Sequence, residues 1–258
     1  MNIDPTFPGL VKTRKGYVFK GNIEASSLRV FVGPLFLDGS LLVEGDVSAQ
    51  FGIEATGEVR SEGKIEAGHL KAHKITAMEI ESDRGVHSKS DIVCDAISAG
   101  TIVSGGTIFA KRIFSKNHLC TSSLKCLGDV EALSIDIEKT VDVQGLIRTF
   151  WGFTSGSSVE SGGFFSESIH VGGDLHSPGD LLVFNEINVS GRLSARRIFG
   201  GKSLSVGTIL NAKEVHGFPN GMIRIGGTEA TNIRDRDRSS SLKKLFSWTT
   251  DQEFRWEY

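Results

Sequence analysis

Between residues 47 and 82 the chain reads Val47-Ser48-Ala49, Ile53-Glu54-Ala55, Val59-Arg60-Ser61, Ile65-Glu66-Ala67, Leu70-Lys71-Ala72, Ile75-Thr76-Ala77 and Ile80-Glu81-Ser82. Each triplet sets an aliphatic residue, a polar one and a small one in sequence, the in-out-in alternation of a short strand. The step from one triplet to the next is five or six positions, which does not fit the 3-4 spacing of an amphipathic helix. Working outward, the unit continues through Val86, Ile92, Ile97, Ile102, Ile108, Ile113, Leu119, Leu124, Val130, Ile135, Val141 and Ile147. Beyond a Phe/Gly/Ser-rich stretch it resumes at Phe153, Val159, Phe164, Ile169, Leu175, Leu182, Ile187, Leu193, Ile198, Leu204, Ile209 and Val215.

Three steps give a steadier period. Ile97, Ile113, Val130 and Ile147 follow one another at nearly equal intervals, so about 17 residues make one three-sided turn. These four form one column; Ile102, Leu119 and Ile135 form a second, and Ile108, Leu124 and Val141 a third. A distant pair of segments agrees: Ala110-Lys111-Arg112-Ile113-Phe114 aligns without gaps on Ala195-Arg196-Arg197-Ile198-Phe199, an offset of five whole turns. The expectation is an all-β fold, a parallel three-sided β-helix (β-solenoid) of roughly twelve turns across residues 18–227. At ~4.8 Å per rung such a rod is about 55 to 60 Å long.

Composition agrees. There are 31 Gly and only 5 Pro among 258 residues, so the corners are built from glycine and small residues. Inward slots pair a branched aliphatic residue with Ala, Ser or Cys, as a narrow triangular interior requires. Outward positions are mostly charged or hydroxylic. Val93, Val103, Phe109 and Phe114 are exceptions, open to two readings: a lateral contact strip or cross-strand packing beneath a corner.

Residues 1–17 show no anchor pattern and read as a tail or cap. The Phe150-Trp151-Gly152-Phe153 stretch keeps the five-to-six step, so the solenoid is expected to pass through it, with a local bulge or an exposed aromatic patch. Residues 228–241 form a charged, serine-rich spacer including Arg234-Asp235-Arg236-Asp237-Arg238. Residues 242–258 are an amphipathic aromatic tail carrying Leu242, Leu245, Phe246, Trp248, Phe254 and Trp256, suited to capping an open solenoid end or to docking on a partner or membrane surface.

Little in the chain points to chemistry. Nucleotide, dinucleotide, hydrolase and zinc-protease motifs are absent from the sequence. His69 and His73 have a helical ligand spacing, but on a solenoid with this step both fall at corners. Cys120 and Cys126 lack a second pair. No enzyme activity, cofactor or metal is expected, and a formal charge of −2 offers no general attraction for nucleic acid. Three cysteines, with neither a signal peptide nor an apolar run of ~18 residues, suggest a cytoplasmic protein.

The units Gly57-Glu58-Val59-Arg60-Ser61 and Gly63-Lys64-Ile65-Glu66-Ala67, following Leu42-Val43-Glu44-Gly45-Asp46-Val47-Ser48-Ala49, resemble the bactofilins, a family of polymer-forming bacterial cytoskeletal proteins. The resemblance spans residues 20–225 in periodicity. It implies a right-handed coil, nucleotide-free end-to-end polymerisation, and scaffolding of cell-envelope or morphogenetic proteins, with membrane association in some members. The chain departs from the family in having about twice the usual number of turns and in its aromatic C-terminal tail.

The leading functional expectation is therefore a structural protein that assembles with itself into filaments or a scaffold. Val18, Ile23 and Leu28 would meet Val215, Phe218 and Ile223 at the subunit junctions. The alternative is a rod-shaped interaction module that docks through the tail and the aromatic stretch. An acyltransferase of the hexapeptide-repeat kind, suggested by the six-residue spacing of Val47, Ile53, Val59 and Ile65, is disfavoured because the later turns shorten and lose that strict step.

Overall fold

The computed structural model describes residues 1–31, 33–217, 222–226 and 228–229. Among these residues every regular element is a strand, and nearly all the pairings are parallel and join one turn to the next. The result is the expected β-solenoid, about 12 turns of ~17 residues. Its three faces are the three columns of the sequence. On face I, Ile97 pairs with Ile113, Ile113 with Val130 and Val130 with Ile147. On face II, Ile102 pairs with Leu119 and Leu119 with Ile135. On face III, Ile108 pairs with Leu124 and Leu124 with Val141.

A strand of three residues cannot hold itself together, so each depends on the turns above and below for its hydrogen bonds and for burial of its inward side chains. The first inward position of each triplet is apolar and buried along the rod, aliphatic from Leu28 through Ile65, Ile113 and Ile147 to Leu204 except for Phe153 and Phe164. The second is often a hydroxyl that turns back to the corner. Ser61 Oγ donates to the Gly45 carbonyl at 2.6 Å and accepts the Gly63 N–H at 3.1 Å, and Ser104 and Thr121 likewise donate to the carbonyls of Ser90 and Gly106. Ser177 has the one buried side-chain polar atom without a partner among the described residues.

Corners are set by a carboxylate and a glycine one turn apart. The Asp46 Oδ1 accepts the Lys64 N–H at 2.9 Å, and a Cβ on Gly63 would collide with that same oxygen. Asp129 under Gly145 and Asp174 under Gly191 repeat the device, accepting the N–H groups of Leu146 and Arg192. The recurrent Gly-x-aliphatic unit is thus the footprint of a side chain in the preceding turn, a close approach only glycine permits.

Three anchors shift to an adjacent position. Leu181, not Leu182, is buried, in register with Phe164; Leu210, not the exposed Ile209, continues the column of Leu193. At the N-terminal end Tyr17 and Phe19 pack on the core in register with Leu35 and Leu37, and Val18 between them points outward. In each case neighbouring apolar residues look equivalent to a periodicity, and the register with the adjoining turn decides between them. The four apolar outward residues form no single strip: Val93 and Phe109 are neighbours on face III, Val103 lies on face II and Phe114 on face I.

The aromatic junction is continuous. Phe153 and Phe164 point inward, 0% and 1% exposed, with ring centroids 5.0 Å apart in an edge-to-face arrangement. The corner 150–152 is one residue longer than the corners stacked against it, as the register shifts on both sides record. That extra residue turns Phe150 and Trp151 out to solvent, 71% and 53% exposed.

The hydroxyl pattern gives a paired prediction. Ser61→Ala should lower stability by about 1 kcal/mol, because it leaves the Gly45 carbonyl and the Gly63 N–H short of a partner. Ser177→Ala should leave stability unchanged or raise it. Urea unfolding midpoints of the two variants test the difference.

Candidate functional site

The described residues hold no group of three or more His, Cys, Asp or Glu placed to share a metal ion. Cys94, Cys120 and Cys126 are free. Burial and the nearby Asp95 push the Cys94 thiol up to about 12, and burial raises Cys120 and Cys126 as well, so none offers a ready thiolate at neutral pH. His69 and His73 do not converge. His69 instead faces His87 on the next turn, with ring centroids 5.3 Å apart.

In the two matching segments, Lys111, Arg196 and Arg197 are engaged by acidic residues of the preceding turn. Lys111 Nζ lies 2.7 Å from Asp95, and both Arg196 and Arg197 hydrogen-bond Asp180. Burial raises the Asp180 carboxyl, but the two guanidinium groups outweigh it and hold it down at about 2.

The ends differ from simple open ladders. Asn2–Ile3 adds a parallel rung on face I beneath Leu28–Val30, so Leu28 is fully buried and no longer terminal. Leu10–Lys12 folds back antiparallel on Tyr17–Lys20 and covers the face II edge, with Phe7 and Phe19 rings 5.8 Å apart. Ile23 is buried at 3% exposure, on a strand paired only on its upper side among the described residues. At the other end Thr228–Glu229 returns antiparallel on Met222–Ile225 and covers face II again. Val215 and Ile223 are partly buried against the core. Phe218, and the tail residues Leu242, Leu245, Phe246, Trp248, Phe254 and Trp256, lie outside the described residues. Sequence reasoning misses both antiparallel returns because strands this short carry no periodicity of their own.

The other distinctive surface is the C-terminal part of face I. Its outward side chains run Phe114, Glu131, Arg148, Phe165, Leu182, Phe199 and His216 from rung to rung. A cavity of about 410 Å³ opens among them and the adjoining corner, lined by Phe114, Leu133, Arg148, Phe150 and Phe165 among others. Arg148 reaches Asp129 at 3.7 Å and Glu131 at 3.8 Å. Further along, Phe165 packs edge-on against Phe184, Phe199 stacks on His216, and Arg197 lies 5.6 Å over the Phe199 ring. The aromatic content of residues 150–165 is visible in the sequence. That Phe114, Leu133 and Phe184 join it depends on the three-dimensional register.

No helix among the described residues is long and apolar enough to cross a membrane. Comparison of the chain with protein-family models, with curated proteins and with solved structures finds no match.

The histidine pair predicts a pH dependence. Burial lowers both pKa values, and His87 is lowered further by His69 and Lys71, while Glu54 opposes the shift in each. The unfolded chain, whose histidines titrate near 6.5, therefore takes up protons first. Stability is full above that pH and declines below it. Thermal melts should fall from pH 7 to pH 5, and a His69→Gln/His87→Gln variant should show a flatter profile over that window.

Proposed function

We propose that this chain is a non-enzymatic structural protein, a rod that assembles with itself through its ends into filaments or a scaffold. The supporting observation is that, among the described residues, the terminal strands on faces I and III each leave one edge unpaired at either end of the rod. Asn2–Ile3 and Ile23–Ala25 present them at one end; the rungs 210–212 and 215–217 present them at the other. Such edges are templates for continuing a parallel ladder between subunits, and the partly buried Leu210, Val215 and Ile223 would complete their burial there.

The two face II returns set a condition on this assembly. Joining the face I edges at one rung spacing brings Leu10–Lys12 of one subunit into the space of Met222–Ile225 of the next, brings Tyr17–Lys20 into that of Thr228–Glu229, and leaves the face III edges two rungs apart. Head-to-tail growth along face I therefore requires Thr228–Glu229, and with it either Leu10–Lys12 or Met222–Ile225, to move aside, so assembly has a barrier. Scaffolding of envelope or morphogenetic proteins and peripheral membrane contact belong to this reading through the bactofilin resemblance, and cytoplasmic residence through the few cysteines and the sequence expectation above. The exposed Phe150 and Trp151 favour a second reading, in which the rod is an interaction module that docks a partner.

Electron microscopy of the purified full-length chain separates these readings. Thin unbranched filaments are expected, and Val215→Glu, placed at an end, should reduce them to short rods while circular dichroism remains β-rich. Filaments that persist unchanged in that variant overturn assembly through the ends. Discrete rods under all conditions leave the docking module as the account.

A further inference from the structure

Four successive rungs of face I present Phe114, Glu131, Arg148 and Phe165 outward. The order is apolar, acidic, basic, apolar, so it reads the same from either end except that the charge reverses. The first residues of the corners that follow these strands are Lys116, Leu133, Phe150 and Glu167, basic, apolar, apolar and acidic, with the same reversal.

A surface with that symmetry is complementary to itself. A two-fold axis lying in the plane of the face, parallel to the strands and midway between the Glu131 and Arg148 rungs, turns a second copy antiparallel and keeps corner over corner. Glu131 then faces Arg148 of the second copy, and Phe114 faces Phe165. In the corner row Lys116 faces Glu167 and Leu133 faces Phe150. One rung further out Ser98 meets Leu182 and Gly100 meets Phe184, small against large. The cavity of about 410 Å³ among Phe114, Leu133 and Phe165 gives Phe150 of the second copy, 71% exposed in a single chain, a place to insert. The row on the other edge of the face, Arg112, Asp129, Leu146 and Gly163, carries no such match and falls at the rim.

We propose that face I is the contact surface of an antiparallel, side-by-side dimer of this chain, centred between Glu131 and Arg148. This lateral contact is independent of end-to-end assembly, and it closes at two copies. Six rungs at ~4.8 Å and a face roughly 15 Å wide give a footprint of roughly 450 Å² per copy, against about 800 Å² for a standard stable interface. The dimer is accordingly reversible, monomeric near ~1 μM and populated by ~100 μM.

Sedimentation velocity of the full-length chain across that range tests the proposal. Glu131→Arg and Arg148→Glu each place like charges opposite one another, and each should weaken dimerisation at least tenfold. Mixed in equal amounts, the two variants restore every opposition. The arginine introduced at position 131 of one chain faces the glutamate introduced at position 148 of the other, and the native Arg148 of the first faces the native Glu131 of the second. The mixture should therefore form a heterodimer that neither variant forms alone, which also shows that both remain folded. A wild-type chain that stays monomeric at ~300 μM overturns the proposal, as does a folded mixture that dimerises no better than its components. Species larger than two, with filaments by microscopy, report the ends instead, so either contact can fail without the other.

Discussion

Hydrogen bonding between one turn and the next carries this molecule. A triplet such as Val47-Ser48-Ala49 has too few residues to form a stable strand, and its backbone groups find partners only in Leu28–Val30 below and in the rung at Ile65 above. Everything else serves to keep that stack in register. The aliphatic anchors fill the interior, the inward hydroxyls bond corner carbonyls, and a side chain such as Asp174 caps the N–H of Arg192 one turn on while excluding any Cβ from Gly191. Because the rule is local and repeated, stability should grow with each turn added and be lowest at the ends.

The same constraint shapes where function can reside. Inward positions are committed to packing, and corners are held by stacked carboxylates and glycines, so variety is confined to the outward residue of each triplet and to the longer corners. Face I shows this. Its outward ladder is polar or charged from Asn2 through Ser98, and from Phe114 onward it sets Phe114, Phe165, Leu182 and Phe199 around the charged pair Glu131 and Arg148. The single extra residue in the corner 150–152 is enough to expose two large rings without disturbing Phe153 and Phe164 beneath them. Exposed aromatic surface is thereby gained while the interior stays intact.

The period and the three columns are legible in the sequence because an in-out-in triplet at a five-to-six step has few other physical explanations, and the match between residues 110–114 and 195–199 fixes the turn length independently. What the period cannot resolve is a choice between adjacent apolar residues. Leu181 and Leu182, Ile209 and Leu210, and Val18 beside Tyr17 and Phe19 are each decided by contacts with the neighbouring turn of the stack. The antiparallel returns of Leu10–Lys12 and Thr228–Glu229 are short and irregular, so pattern reading passes over them, although they govern what the ends can do. Face I is half legible: its aromatic residues stand out in the chain, whereas the reversal of charge about Glu131 and Arg148 appears only when residues one turn apart are set side by side.

The central claim is one uninterrupted ladder through the aromatic junction, and amide hydrogen exchange tests it most directly. The account predicts that backbone amides of Val141–Ser155 and Val159–Val171 exchange as slowly as those of Arg112–Cys126, with faster exchange confined to the corners and the terminal rungs. Rapid exchange throughout residues 145–173, with slow exchange on either side, would divide the rod into two separate solenoids and contradict it.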